Sequence, residues 1–179
     1  MDFYKVGKRF YQTYKTEDGG YFKALIGKIP MTGRYTNYVI GGMIMFVDVD
    51  CPIDTGTIFF SQAGRVMMVM DNAEEETLGP RQKSFVVRIL TRKFSWKRQV
   101  DVVNPITGMK ETTNIKNMGS FWCSLEASGN KTDNMHITTG KYTFVCNKPL
   151  KEGDIIDDKY RITKSENLVG VTVAYGARC

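Results

Sequence analysis

Residues 84–103 read SFVVRILTRKFSWKRQVDVV, and this stretch decides the fold class. Apolar side chains take every second position in both of its halves. They are Phe85, Val87 and Ile89, followed by Phe94, Trp96, Val100 and Val102. A period of two is typical of a β-strand that buries one face, so we expect both halves to be strands and Phe94 to Val102 to share a core face.

The same stretch is strongly basic. Between residues 81 and 98 there are seven cations and no acidic residue: Arg81, Lys83, Arg88, Arg92, Lys93, Lys97 and Arg98. On a strand these side chains would form a basic surface that attracts phosphates or an acidic protein, and salt would weaken either contact. The simpler alternative is a solvated sheet face, or a sheet edge that its charges protect from aggregation.

On either side of this stretch, the chain consists of short extended runs separated by turn residues such as Asp18-Gly19-Gly20, Gly79-Pro80 and Thr139-Gly140. This density of turns predicts an all-β protein, a small β-barrel or sandwich built of antiparallel hairpins with at most one short helix. The helix would lie at residues 71–78, which read equally well as an acidic loop. We expect a single β domain over 1–179, with 1–42 as an N-terminal arm or extension.

Composition limits the function classes. The chain has 179 residues, 42% of them apolar, and a net charge of +6, so it can form a core. The first thirty residues lack the apolar run of a secretory signal, and the apolar stretch at 39–47 is too short to span a membrane, so we expect a soluble protein without a membrane partner. Four widely spaced cysteines predict reduced thiols.

Two hairpin-like segments echo each other. Thr55 to Val69 and Glu152 to Thr163 each contain a glycine, an apolar strand, a short polar turn and a returning strand. Hairpins of this type are common in unrelated β-proteins, so the echo alone does not establish an internal duplication.

The second of these hairpins, Gly153-Asp154-Ile155-Ile156 with Tyr160-Arg161-Ile162-Thr163, resembles the small β-barrel proteins that close the head of tailed bacteriophages and join it to the tail. Trp96-Lys97-Arg98 with Asn104-Pro105-Ile106-Thr107-Gly108, a strand pair around a long turn, resembles them too. The resemblance to these head-completion, stopper or adaptor proteins covers residues 55–175. The stretch from Phe3 to Gly42 is an addition relative to the smallest members.

The resemblance implies a non-enzymatic virion protein of the head–tail junction, assembled in the host cytoplasm. Copies would form a homo-oligomeric ring that connects the portal or adaptor to tail proteins and helps retain packaged double-stranded DNA, without a cofactor or metal. The seven cations would face DNA or a protein partner. The loop residues Asn104, Pro105, Gly108 and Gly129 are candidates for a flexible element that gates or docks.

A different class of function stays open on the residues alone. Phe94 and Trp96 beside cations would suit a barrel that binds single-stranded nucleic acid, provided that the rings are exposed. Catalysis has little support. His136 is the single histidine, and it lies in no recognisable nucleophile motif. Asp48 and Asp50 would share one strand face, but the strand ends directly after them at Cys51-Pro52, where carboxylates are usually solvated.

Overall fold

The computed structural model describes residues 9–28, 43–73, 82–128 and 141–179. These ranges contain twelve β-strands and no helix. The chain divides into two compact units, Met1–Leu90 and Thr91–Cys179. Each unit contains a closed antiparallel barrel, so the prediction of an all-β fold built of antiparallel strands is confirmed.

The first unit contributes six strands to its barrel. In chain order they are β1 (Gln12–Thr16), β2 (Tyr21–Lys28), β3 (Met43–Asp48), β4 (Ile58–Phe60), β5 (Val66–Ala73) and β6 (Gln82–Leu90). Around the barrel the order is β1-β2-β3-β6-β5-β4. The barrel closes where β4 returns to β1, with Phe60 opposite Lys15 and Phe59 opposite Thr16.

The interior of this barrel is filled by every second side chain along its strands. Met45 and Val47 on β3 and Phe85 and Val87 on β6 are almost fully buried and belong to one core cluster. Phe59 packs edge-on against neighbouring aromatic rings in the same cluster. The predicted core face of residues 85–89 is therefore correct, although the opposite face of β6 is also buried.

The second unit repeats the arrangement with six further strands. They are β7 (Arg92–Val103), β8 (Lys110–Ser128), β9 (Lys141–Cys146), β10 (Ile155–Ile156), β11 (Tyr160–Leu168) and β12 (Val171–Arg178). Around the barrel the order is β7-β8-β9-β12-β11-β10. The two-residue strand β10 closes it against β7, with Ile155 opposite Lys97 and Ile156 opposite Trp96.

The core of the second barrel is aromatic. Phe94, Phe121 and Phe144 are nearly fully buried, and the Phe94 ring lies 6.4 Å from the Phe121 ring and 6.0 Å from the Phe144 ring. Trp96 packs edge-on against Phe121 at 6.0 Å. These rings come from β7, β8 and β9, so the core is assembled across neighbouring strands.

Both barrels therefore have the same strand order among their described strands, a three-strand meander followed by a second meander that closes onto the first. Six strands of one unit correspond in order to six of the other. The hairpins that echoed each other in the sequence are β4–β5 and β10–β11, which occupy equivalent positions. The weak echo thus marks a real repeat of topology.

The connection into this hairpin repeats in atomic detail. Residues 52–58 read PIDTGTI and residues 149–155 read PLKEGDI, a Pro-[Ile/Leu]-x-x-Gly-x-Ile pattern shared at an offset of 97 positions. The glycine N–H donates to β5 in one unit (Gly56 to Val69, 2.8 Å) and to β11 in the other (Gly153 to Ile162, 2.9 Å). Both glycines have positive φ, 85° and 86°.

Several expectations need correction. The chain forms two barrel units rather than the single domain expected, because each set of six described strands pairs around its own closed barrel. Within 1–42, residues 12–28 form β1 and β2 of the first barrel and are not an arm, while 1–8 and 29–42 lie outside the described residues. The helix expected at 71–78 is strand as far as Ala73, and its remainder lies outside them.

Candidate protein-docking site

Three cations of the basic stretch are held by carboxylates of the turn that surrounds β10. Arg92 bonds Asp157, Lys97 bonds both oxygens of Asp158 at 2.7 Å, and Arg98 bonds Asp154. The backbone brings the two sets together because β10 pairs directly with β7. This part of the predicted basic surface is therefore neutralised within the unit.

The Arg98–Asp154 pair is the most buried of the three. Arg98 makes two 2.8 Å bonds to the carboxylate and donates a third to the Pro149 carbonyl oxygen. Asp154 is 1% exposed and also accepts the Lys151 N–H. The hydrogen bond to Asp154 raises the pKa of Arg98, and the guanidinium lies over the Trp96 ring at 4.9 Å. The group is a structural clasp between β7 and the β10 turn.

The other predicted cations are dispersed. Arg88 is buried in β6, Lys83 is half-buried on the same strand, and Lys93 is exposed on β7. Arg81 lies outside the described residues. The first unit thus holds Lys83 and Arg88, and the second holds Arg92, Lys93, Lys97 and Arg98, three of which are paired with carboxylates.

The aromatic residues of β7 point into the barrel. Phe94 is 1% and Trp96 6% exposed. Their burial agrees with the predicted core face and leaves neither ring available for stacking on bases. Val100 and Val102, which were expected on that same core face, are exposed. The prediction was wrong for them because the first residue of β10, Ile155, lies opposite Lys97, and no described β10 residue pairs with β7 beyond that point.

The strands β7 and β8 continue past the barrel as a two-stranded hairpin, which we call the extension (residues 98–118). Among the described residues, this part of β7 and β8 pairs only strand to strand, from Arg98–Lys116 to Val103–Lys110. Six residues of strand span about 20 Å. In the β8 half, residues 110–119, apolar and polar side chains do not alternate, so the sequence pattern gives no strand signal there.

The extension exposes apolar side chains on both faces and at its tip. Val100 and Val102 lie on one face, and Ile115, opposite Gln99, lies on the other and is 59% exposed. Ile106 at the tip is 93% exposed, and Met109 and Met118 are exposed as well. An isolated two-stranded hairpin is marginally stable in water, and exposed apolar groups of this kind mark interaction sites.

The tip is a hydrogen-bonded turn. The Asn104 N–H donates to Met109 at 2.9 Å, and the Gly108 N–H donates to Asn104 at 2.8 Å. The Asn104 side-chain oxygen accepts the N–H of Ile106 at 2.8 Å, and Gly108 has φ 67°. Of the predicted loop residues, Asn104 and Gly108 therefore form hydrogen bonds within the turn that carries Ile106, Pro105 lies between Asn104 and Ile106, and Gly129 lies outside the described residues.

The extension has no counterpart in the first barrel. The equivalent β1–β2 connection is a tight turn at Glu17–Gly20. A barrel of this topology closes without the extra hairpin, so the extension is not needed to complete the fold. This comparison singles out the extension as the candidate functional element, which no sequence motif had indicated beyond the turn residues.

Other candidate chemistry is not assembled in the described part of the chain. No group of three or more His, Cys, Asp or Glu side chains there could hold a metal ion. Asp48 is half-buried at the end of β3 and Asp50 is exposed in the following turn. His136 lies outside the described residues. No helix in the described ranges is long and apolar enough to cross a membrane.

Comparison with known proteins adds no relative. No family model, no curated protein and no solved structure matches this chain.

Proposed function

We propose that this chain is a non-enzymatic virion structural protein of the head–tail junction of a tailed bacteriophage, where copies assemble into a ring between portal and tail. The observation that carries the proposal is the extension, which displays apolar side chains on both faces and at the tip. The small barrels and the Gly153–Thr163 hairpin, which resembles the head-completion proteins, support the same assignment. In such a ring the protein would help to retain packaged DNA.

Three cations of the basic stretch, Arg92, Lys97 and Arg98, are paired with carboxylates of their own unit. The proposed contact surface is therefore the extension and not the basic stretch. Within the extension Asp101 pairs with Lys110, which leaves a surface of low net charge. Contacts made by such a surface depend on apolar burial and are screened little by salt. We therefore propose a protein partner for the extension.

The test removes the extension without disturbing the barrel. Gln99 and Ile115 are cross-strand partners, so residues 100–114 can be replaced by Asn-Gly, which joins paired strands in a two-residue turn. A milder variant is Ile106→Ser. The matched control is Val169→Ser at the tip of the β11–β12 hairpin, because Val169 is 90% exposed and Ile106 93%.

The measurement is the mass in solution by analytical ultracentrifugation, at low and high salt. We expect the wild type and Val169→Ser to form the same oligomer at both salt concentrations, and both extension variants to be monomers with unchanged tryptophan emission. A wild type that stays monomeric up to about 1 mM would contradict ring assembly. An oligomer that dissociates as salt rises would instead assign docking to charged groups.

A further inference from the structure

Two cysteines of the second barrel face each other. Cys123 lies on β8 and Cys146 on β9, and the ladder between these strands pairs Ser124 with Val145. Antiparallel pairing continued by one position sets Cys123 opposite Cys146. Both are 0% exposed and belong to the same core cluster, so both side chains point into the barrel.

This arrangement matches what a disulfide requires. Directly opposed residues of antiparallel strands have Cα atoms about 4.5–5.5 Å apart, and a disulfide accepts about 4.4–6.8 Å. Opposed Cβ atoms are about 4.5–5.5 Å apart, whereas a disulfide prefers roughly 3.5–4.5 Å, so a small approach of the side chains is needed.

The thiols also interact. The pKa of the Cys146 thiol is lowered, chiefly by a hydrogen bond with Cys123. Burial acts in the opposite direction and is the smaller effect. Both thiols contact main-chain oxygens, Cys123 that of Ser124 at 3.3 Å and Cys146 that of Lys148 at 3.5 Å. A lowered pKa favours the thiolate, which is the species that attacks a disulfide.

We propose that Cys123 and Cys146 form a disulfide that cross-links β8 to β9 when the second barrel folds in the presence of a small disulfide oxidant. One thiolate attacks the oxidant R–S–S–R and releases R–S⁻, giving a mixed disulfide. The other thiolate then displaces the second R–S⁻ and forms the Cys123–Cys146 bond. The protein loses two electrons and two protons, and the oxidant is reduced to two thiols.

The position of the bond gives it a structural consequence. Cys123 lies in the barrel part of β8, opposite Arg92 and five positions after the extension ends at residue 118. A cross-link to β9 would therefore join two neighbouring strands of the barrel covalently. The inference does not depend on the proposed ring, because its readouts concern one folded unit.

Burial also determines how the experiment is done. Thiols enclosed in a folded core react slowly, so the oxidant must be present while the barrel forms. A Cys51→Ser/Cys179→Ser variant, which keeps only the facing pair, is unfolded in urea. It is then refolded in a mixture of reduced and oxidised glutathione, or with a phosphine reductant. Wild-type protein is treated in parallel and mapped by peptide mass, in case Cys51→Ser impairs folding.

Three readouts decide the outcome. We expect an intact mass lower by two hydrogens, no titratable thiol, and a Tm raised by roughly 15–20 °C over the reduced form, since the bond closes a loop of about 24 residues. A further Cys123→Ser change should abolish the redox dependence of Tm. Refolded protein with native tryptophan emission and two free thiols would overturn the proposal, as would a disulfide that joins other cysteines or lowers Tm.

Discussion

Replacing Arg98 by methionine tests whether the clasp to Asp154 holds the second barrel closed. The substitution keeps an unbranched side chain that can still cover Trp96, but it removes three hydrogen bonds and the counter-charge of a carboxylate that is 1% exposed. Asp154 would retain one described donor, the Lys151 N–H at 2.8 Å. The variant therefore leaves a buried charge without its partner.

The expected loss of stability follows from this burial. Removing one partner of a buried ion pair costs about 3–5 kcal/mol, and the lower end applies because the Arg98 side chain is 19% exposed. With a urea dependence of roughly 1–1.5 kcal/mol per molar for a unit of this size, a loss of about 3 kcal/mol lowers the unfolding midpoint by roughly 2–3 M. The matched control Lys97→Met breaks a pair with an Asp158 that is 64% exposed, and it should cost less than about 1 kcal/mol.

The assay is urea unfolding followed by tryptophan emission. Both tryptophans, Trp96 and Trp122, lie in the second unit, so the signal reports on that unit alone. The first barrel has Thr57 where the second has Asp154 and closes the same turn without this pair. The double variant Arg98→Met/Asp154→Thr should therefore recover more than half of the loss. If Arg98→Met costs no more than Lys97→Met, the clasp does not stabilise the barrel and the reasoning fails.

Three further predictions concern the barrels. Gly153→Ala should destabilise the second unit by about 1–2 kcal/mol, measured by the same urea assay, because φ is 86° although no atom lies within 4 Å of the added Cβ. Phe59→Ala should cost the first unit about 3–5 kcal/mol by hydrogen exchange, since the ring is 0% exposed; protection unchanged from wild type would exclude its role in the core. Burial raises the pKa of Cys51 and of Tyr14, so the folded state of the first unit keeps these protons longer than the unfolded chain and its stability should fall as the pH rises above about 9. A Cys51→Ala variant should lose less stability over that pH range in thermal unfolding, and an equal loss would rule out the thiol.

The basic stretch does not behave in the fold as its sequence suggests. Seven cations in eighteen consecutive positions predict one charged surface when only the sequence is known. In the folded chain the stretch crosses the boundary between the two units at Leu90. Its second half meets the acidic turn at residues 154–158, more than fifty positions away along the chain. Charge pairing over such a separation depends on β10 lying beside β7.

The sequence by itself determined the strand class. Alternation predicted that both halves of residues 84–103 are strands, which are β6 and β7 in the structure, and it placed the Phe94 and Trp96 rings on one buried face. These features are local, because a period of two and a turn glycine act over a few residues. The Pro-[Ile/Leu]-x-x-Gly-x-Ile pattern at residues 52 and 149 was also present in the sequence and could have revealed the repeat.

Only the tertiary structure decided which strands close each barrel, which charges cancel and where the core ends. Val100 has the same alternation as Phe94, yet one is exposed and the other buried, because burial depends on whether another strand lies opposite. The same holds for Arg98, whose partner is supplied by a distant turn. Burial and charge pairing are properties of contacts between elements, and no local pattern along the chain encodes those contacts.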